Sequence, residues 1–203
     1  MLVFWKARLV MLSVPKTGTS AYQSALAPHA GMIVSDPPEL KHAPVYRYNR
    51  FFRPMFEKMG ADDLELMAVI REPVSWLGSW YRYRRRPFLD GKRTSTKDIS
   101  FDDFVLAYCQ KDKPAFANVG SQAHFVEARP NGVKVDHFFA YEAQSDILTF
   151  LENRLSVKID LPRSNLSPKM DLDLSPANLA LLRATCGAEF EIWEQARNAH
   201  RST

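Results

Sequence analysis

Leu9 to Val14 is an almost wholly apolar run that stops at Pro15 and gives way at once to the polar, glycine-containing segment Lys16-Thr17-Gly18-Thr19-Ser20. A short apolar run without alternation fits a strand buried on both faces, as in the middle of a parallel sheet. From Thr19 to Ala27 the composition favours helix, with Thr19 or Ser20 available as the N-cap. The order is therefore strand, tight loop, helix, with the strand predicted as a central parallel one.

That order recurs. Leu64 to Ile70 reads as a second buried strand, and Arg71-Glu72 then precede Pro73, a residue favoured at the first helical position, launching a helix to the region of Arg85. Val135 to Tyr141 is a third strand, followed by the helical periodicity of Ile147, Leu148, Leu151 and Leu155. Alternation of this kind predicts an α/β fold: a mainly parallel central sheet flanked by helices, with ligands at the carboxyl ends of the strands. Two insertions, Met32 to Gly60 and Leu89 to Arg129, are expected to shape a second substrate's pocket, and the latter carries a predicted helix from Phe101 to Gln110 capped by Ser100. Ser175 as N-cap and Pro176 after it open one C-terminal amphipathic helix through Leu179, Leu182, Phe190 and Trp193, expected to pack across the sheet.

With 203 residues and 46% hydrophobic content, the chain suits a single domain over 1–203. The excess of 27 basic over 23 acidic residues gives a net charge of +4, too mild for a nucleic-acid coat and better suited to a phosphorylated small ligand or an anionic partner. Cys109 and Cys186 lack the spacing of a metal or redox motif, so no metal site is expected and buried free thiols are the favoured reading. No apolar run approaches the ~20 residues of a membrane span. The N-terminal stretch is broken by Lys6 and Arg8 and runs into a motif that must fold, so a cytoplasmic location is expected.

The first loop joins a buried strand to a helix N-terminus, where unpaired backbone N–H groups and the helix dipole favour an anion. Gly18 permits close approach, Thr17, Thr19 and Ser20 offer hydroxyl donors, and Lys16 supplies a point charge. The loop is P-loop-like but departs from the nucleotide P-loop, because its lysine precedes the only glycine. The second strand ends in Arg71 where a triphosphatase would want a magnesium-binding aspartate; Glu72 keeps a nucleotide kinase or triphosphatase open as an alternative. Ser75 and Ser79 share one face of the helix after Arg71, and an arginine fork with a helix hydroxyl can grip a phosphate. Two anion-binding devices at the ends of neighbouring strands point to one ligand with two anionic ends, such as a 3′,5′-bisphosphorylated nucleotide.

On these two motifs the chain resembles the sulfotransferases that use 3′-phosphoadenosine 5′-phosphosulfate (PAPS), in which a loop like Pro15-Lys16-Thr17-Gly18-Thr19-Ser20 holds the phosphosulfate. Their 3′-phosphate motif is an arginine followed by Asp/Glu-Pro and, eight positions on, a serine, matched here by Arg71, Glu72-Pro73 and Ser79. Tyr141-Glu142, Asn165-Leu166-Ser167 and Glu189-Phe190-x-x-Trp193 resemble weaker marks of the carbohydrate and bacterial branches. The glycine-rich closing segment of the cytosolic small-molecule branch is not recognisable, and Arg163 to Lys169 stands in its late position. The resemblance implies a P-loop-like nucleotide-binding architecture, PAPS as co-substrate without a metal, and a hydroxyl-bearing acceptor, with anionic molecules and carbohydrates as the classes in view. It assigns Lys16 to the departing oxygen, Thr17 to Ser20 to the 5′-phosphate and sulfonate, and Arg71 with Ser79 to the 3′-phosphate. His42, in Leu40-Lys41-His42-Ala43-Pro44, aligns with the base of the histidine-using members, and Glu39 competes for that role. The basic run Arg82, Arg84, Arg85 and Arg86 is equally a solvated helix end or an acidic-acceptor site; no recognition motif accompanies it, so nucleic acid is not an expected partner. A non-catalytic module that only binds the bisphosphate remains a further alternative.

Overall fold

The computed structural model describes residues 1–161, 170 and 172–199. The chain opens with β1 (Leu2–Phe4) and β2 (Leu9–Met11), then α1 (Thr19–Leu26) and β3 (Met32–Ile33). Next come α2 (Pro38–Lys41) and α3 (Val45–Arg47), which runs through a π turn at Tyr48–Phe52 into α4 (Arg53–Lys58). After these follow β4 (Glu65–Ile70), α5 (Pro73–Arg84), α6 (Phe101–Tyr108), α7 (Gln122–Phe125), β5 (His137–Ala140) and α8 (Gln144–Leu155). The last elements are α9 (Pro176–Thr185) and α10 (Gly187–Asn198).

The strands form one open sheet in the order β3-β1-β2-β4-β5. β2, β4 and β5 are the three strands foreseen from their apolar runs, and they pair in parallel, Val10 opposite Leu66 and Val69 opposite Phe139. β1 pairs antiparallel with both β2 and β3, so the sheet is mixed where a mainly parallel one was expected. The reason lies in Lys6 and Arg8. What reads as an interruption of the apolar N-terminus is the turn of a β1–β2 hairpin, closed by Arg8 N–H donating to Trp5 O at 3.3 Å with Arg8 left-handed at φ 51°.

Strand alternation sends side chains to two covered faces. Val3, Val10, Leu12, Leu66, Ala68 and Ile70 meet Phe52, Phe56, Phe125 and Ala196 on one side. On the other, Leu9, Met11, Met67, Val69 and Phe139 meet Tyr22, Leu26, Ile147 and Leu151. A third cluster forms beyond the sheet, where Trp76, Leu77 and Tyr81 of α5 pack with Phe101, Phe104 and Tyr108 of α6 and with Leu182 and Phe190. Ser100 caps α6 as expected, accepting from Asp103 N at 3.0 Å.

The single C-terminal helix is a correction. Ser175 does cap a helix, accepting from Asn178 N at 3.2 Å, but the chain breaks at Cys186, whose φ of −123° is not helical, and restarts at Gly187. The break lets α9 lie against α6 while α10 packs on β4 and β5, a division that one straight helix cannot make. No helix among the described residues is long and apolar enough to cross a membrane.

Candidate functional site

β2 leaves the sheet after Leu12, whose N–H still donates to Met67 O at 2.9 Å. The chain then turns tightly. Lys16 and Gly18 both adopt left-handed backbone, at φ 68° and 78°. Gly18 is suited to that conformation, and a Cβ there would stand 3.3 Å from Tyr141 Cε2. Lys16 adopts it against its preference, at a cost of ~1–2 kcal/mol. Thr17 was expected to offer its hydroxyl to a ligand, but the fully buried side chain donates to Val14 O at 2.9 Å, so its one O–H staples the turn instead. The helix cap is a second correction. Gly18, not Thr19 or Ser20, is the N-cap of α1, and it provides no side-chain hydrogen bond. Thr19 is buried and Ser20 is exposed in the first turn of a helix whose leading N–H groups have no side-chain cap.

The β4–α5 corner docks on this loop. Glu72 caps α5, accepting from Ser75 N at 2.7 Å, and Pro73 follows at the first helical position. Trp76 Nε1 donates to Pro15 O at 2.9 Å, and Arg71 Nη1 to Lys16 O at 3.2 Å. The Arg71 guanidinium also donates from Nε to Ser75 Oγ at 2.9 Å and lies 4.5 Å over the Tyr141 ring. The two predicted anion devices are thus hydrogen-bonded to each other. Ser79, 5% exposed, lies one turn further along α5, while Ser75 is the hydroxyl on the arginine.

Lys16 Nζ rests 4.4 Å from the centre of the Tyr83 ring and 5.6 Å from that of Trp80. Burial and then the charges of Arg86, Arg71 and Arg82 push its pKa down to about 8. Burial likewise lowers Arg71 and Arg82. Among the described residues none of these four cations makes an ion pair, and Arg82 Nε and Trp80 Nε1 are buried without a hydrogen-bond partner. The basic run divides accordingly. Arg84 donates to Ala115 O at 2.6 Å and Asn118 O at 2.9 Å, and Arg85 to Thr96 O at 3.3 Å, tying down the insertion after α5. Arg82 and Arg86 instead add to the positive field on Lys16.

His42 follows α2 and approaches the loop from the other insertion. Its Nδ1 lies 2.7 Å from Ser13 O. A carbonyl can only accept, so in the neutral ring Nδ1 carries the proton and Nε2 keeps a lone pair that no described residue engages. Burial is the main cause of a pKa below the ordinary histidine value, partly offset by the Ser13 bond, with Lys41 and Lys16 lowering it further. Glu39 is exposed on α2, and its carbonyl accepts from Arg47 Nη1 at 2.9 Å.

Several contributors had no sequence signal. The Gln122 carboxamide pairs with the Arg71 backbone twice, accepting from its N–H and donating to its carbonyl, both at 2.9 Å. Gln122 N donates in turn to Glu189 Oε2 at 3.1 Å. Nothing in the sequence marks Tyr83 and Trp80 as the resting place of a lysine. The loose late marks do converge: Glu142 accepts from Glu72 N at 3.0 Å and from Trp193 Nε1 at 3.2 Å. Asn165-Leu166-Ser167 and the wider Arg163 to Lys169 segment lie outside the described residues. A cavity of about 610 Å³ bordered by Val126, Val135, Ile192 and Gln195 includes none of Lys16, His42 or Arg71. Among the described residues no three His, Cys, Asp or Glu side chains gather as metal ligands would. No protein-family model, curated protein or solved structure matches this chain.

Proposed function

We propose that this chain is a sulfotransferase that takes the sulfuryl group of PAPS and delivers it to an acceptor hydroxyl. One observation carries the reading: a lysine loop and an arginine corner, bonded to each other, gather four cations without an ion pair among the described residues, beside a histidine whose Nε2 lone pair none of those residues engages. Clustered like charges raise the free energy of the empty site, and a ligand with anionic groups at both ends relieves it. The parallel run β2-β4-β5, with both loops following strand ends, supports a P-loop-like nucleotide-binding arrangement.

In the proposed reaction the acceptor oxygen bonds to sulfur as the sulfur–oxygen bond to the 5′-phosphate breaks, and the acceptor proton passes to His42 Nε2. Lys16 leaves the Tyr83 face and neutralises the departing phosphate oxygen. Backbone and hydroxyl groups of Gly18, Thr19 and Ser20 hold the 5′ end, with Thr17 as the staple of their turn. Arg71 holds the 3′-phosphate, with Ser79 the proposed second contact. The cysteines at 109 and 186 are free thiols, in keeping with a cytoplasmic setting, which belongs to the proposal.

The test is a thermal-shift comparison of adenosine 3′,5′-bisphosphate with magnesium ATP. Ligand at ~100 times its Kd adds about 2.7 kcal/mol, or roughly 5–10 °C for a chain of this size. The bisphosphate should give that shift without metal. A shift with magnesium ATP alone would move the chain to the kinases or triphosphatases. Bisphosphate binding without label transfer from ³⁵S-PAPS to any hydroxyl acceptor in a broad panel would leave a binding module.

A further inference from the structure

Glu189 and Trp193 stand one turn apart on α10, and each reaches the β4–α5 corner through a single intermediary. From Glu189 the contact runs to Gln122 N at 3.1 Å, and the Gln122 carboxamide then closes on both backbone groups of Arg71 at 2.9 Å. From Trp193 the indole N–H donates to Glu142 at 3.2 Å, and the other Glu142 oxygen accepts from Glu72 N at 3.0 Å.

The burial of these groups argues against chance contacts. Gln122 is fully buried and Glu189 is 4% exposed. An amide and a carboxylate in such places are costly unless bonded, and an apolar pair would fill the same volume without that cost. The Glu189 carboxylate also bonds Ser121 and the Ala123 backbone, so it caps the four-residue α7 and fixes Gln122 at its first position. The backbone of Arg71 needs two partners because β4 ends there and the sheet ladder supplies none beyond Ile70. Gln122 supplies both, in the manner of a neighbouring strand.

We infer that α10 positions the Arg71 guanidinium through two struts, Glu189–Gln122 and Trp193–Glu142, making these four residues positioning residues for the nucleotide's 3′ end. The assignment of a 3′-phosphate to Arg71 rests on the function proposed above; the mechanical part, that the struts hold Arg71, does not.

The experiment uses the full ¹⁵N-labelled chain. The Arg71 Nε–H, bonded to Ser75 Oγ at 2.9 Å, gives a signal identified by its loss in Arg71→Lys and followed in Gln122→Met and Trp193→Phe. Affinities for adenosine 3′,5′-bisphosphate and adenosine 5′-monophosphate are measured on the same samples. The variants should weaken or shift the Arg71 signal, and Gln122→Met should lose about tenfold in bisphosphate affinity, the equivalent of one charge-assisted hydrogen bond, with under about twofold for the monophosphate. A general loss of stability would lower both affinities together. Folded variants with an unchanged Arg71 signal and an unchanged preference between the nucleotides overturn the struts. Trp193→Phe, which removes one N–H from a half-buried ring, decides the matter if Gln122→Met does not fold. A native chain that binds neither nucleotide, or both equally, counts against the proposed function instead, and the Arg71 signal then decides the struts alone.

Discussion

Lys16 combines a backbone conformation it disfavours with a charge its neighbours repel. Its folded pKa of about 8 lies below the ordinary lysine value, so between those limits the unfolded chain binds more protons than the folded one. Stability should therefore rise with pH above about 8, and Lys16→Met should remove most of that rise; equal slopes for both proteins in urea titrations at pH 7.5 and 9.5 would refute it. The same substitution should abolish turnover while leaving stability at neutral pH unchanged or higher. For His42 the shift has the same direction but bears on turnover. Its lowered pKa keeps the neutral base populated below the ordinary ~6.5, so turnover should hold to lower pH than an exposed histidine allows before it falls. His42→Ala should lose roughly 10²-fold or more in turnover with bisphosphate affinity nearly intact, and Glu39→Ala should lose far less. The reverse order in stopped assays would make Glu39 the base.

The β2–α1 loop depends on its glycine as an element. Gly18→Ala places a methyl at φ 78° and 3.3 Å from Tyr141, whose ring also faces Arg71. The backbone term alone is ~1–2 kcal/mol, and the ring must move as well, so the variant should melt several degrees lower and bind the bisphosphate more weakly. Wild-type affinity would show the turn to be more tolerant than its geometry implies. Elements with a long apolar run or a side-chain cap were legible: β4, α5, α6 and α8 lie where the residues put them. β1 and β3 were not, because strands of three and two residues carry no period, and the lysine and arginine of a hairpin turn look like solvated charge. Of the candidate site, the charged members Lys16, Arg71 and His42 are the ones the sequence singles out, since each sits beside a strand end or a recognisable motif. Gln122 was hidden, and Glu189 was marked without its role, because that role is set by partners 51 and 67 residues away in sequence. Thr17 was misjudged for a local reason: a hydroxyl in a tight turn often bonds its own backbone.

Across the whole molecule, charge is arranged by end. At the start of β4, away from the loops, Glu65 Oε2 takes Arg154 Nη2 at 2.6 Å and lies 2.8 Å from His137 Nε2, joining β4, β5 and α8. The bond to His137, with help from Arg154, lowers the Glu65 pKa. Its contribution is present above the ordinary carboxylate range and lost as pH falls through that lowered value. Glu65→Gln should thus melt slightly lower near pH 7, with the deficit shrinking as pH falls below the ordinary carboxylate range; a deficit that stays constant down the acid limb would point to packing rather than charge. At the other end the cations near Lys16 are left unpaired among the described residues, and the aromatic rings beneath them make the molecule its own optical gauge. Of the four tryptophans, Trp80 is the one whose ring faces the Lys16 ammonium, while Trp76 is tied to Pro15, Trp193 to Glu142, and Trp5 packs on Phe56. An anion that draws the ammonium off that ring changes the field across the indole. Near-ultraviolet emission should respond to the bisphosphate without any attached dye, and Trp80→Phe should silence most of the response.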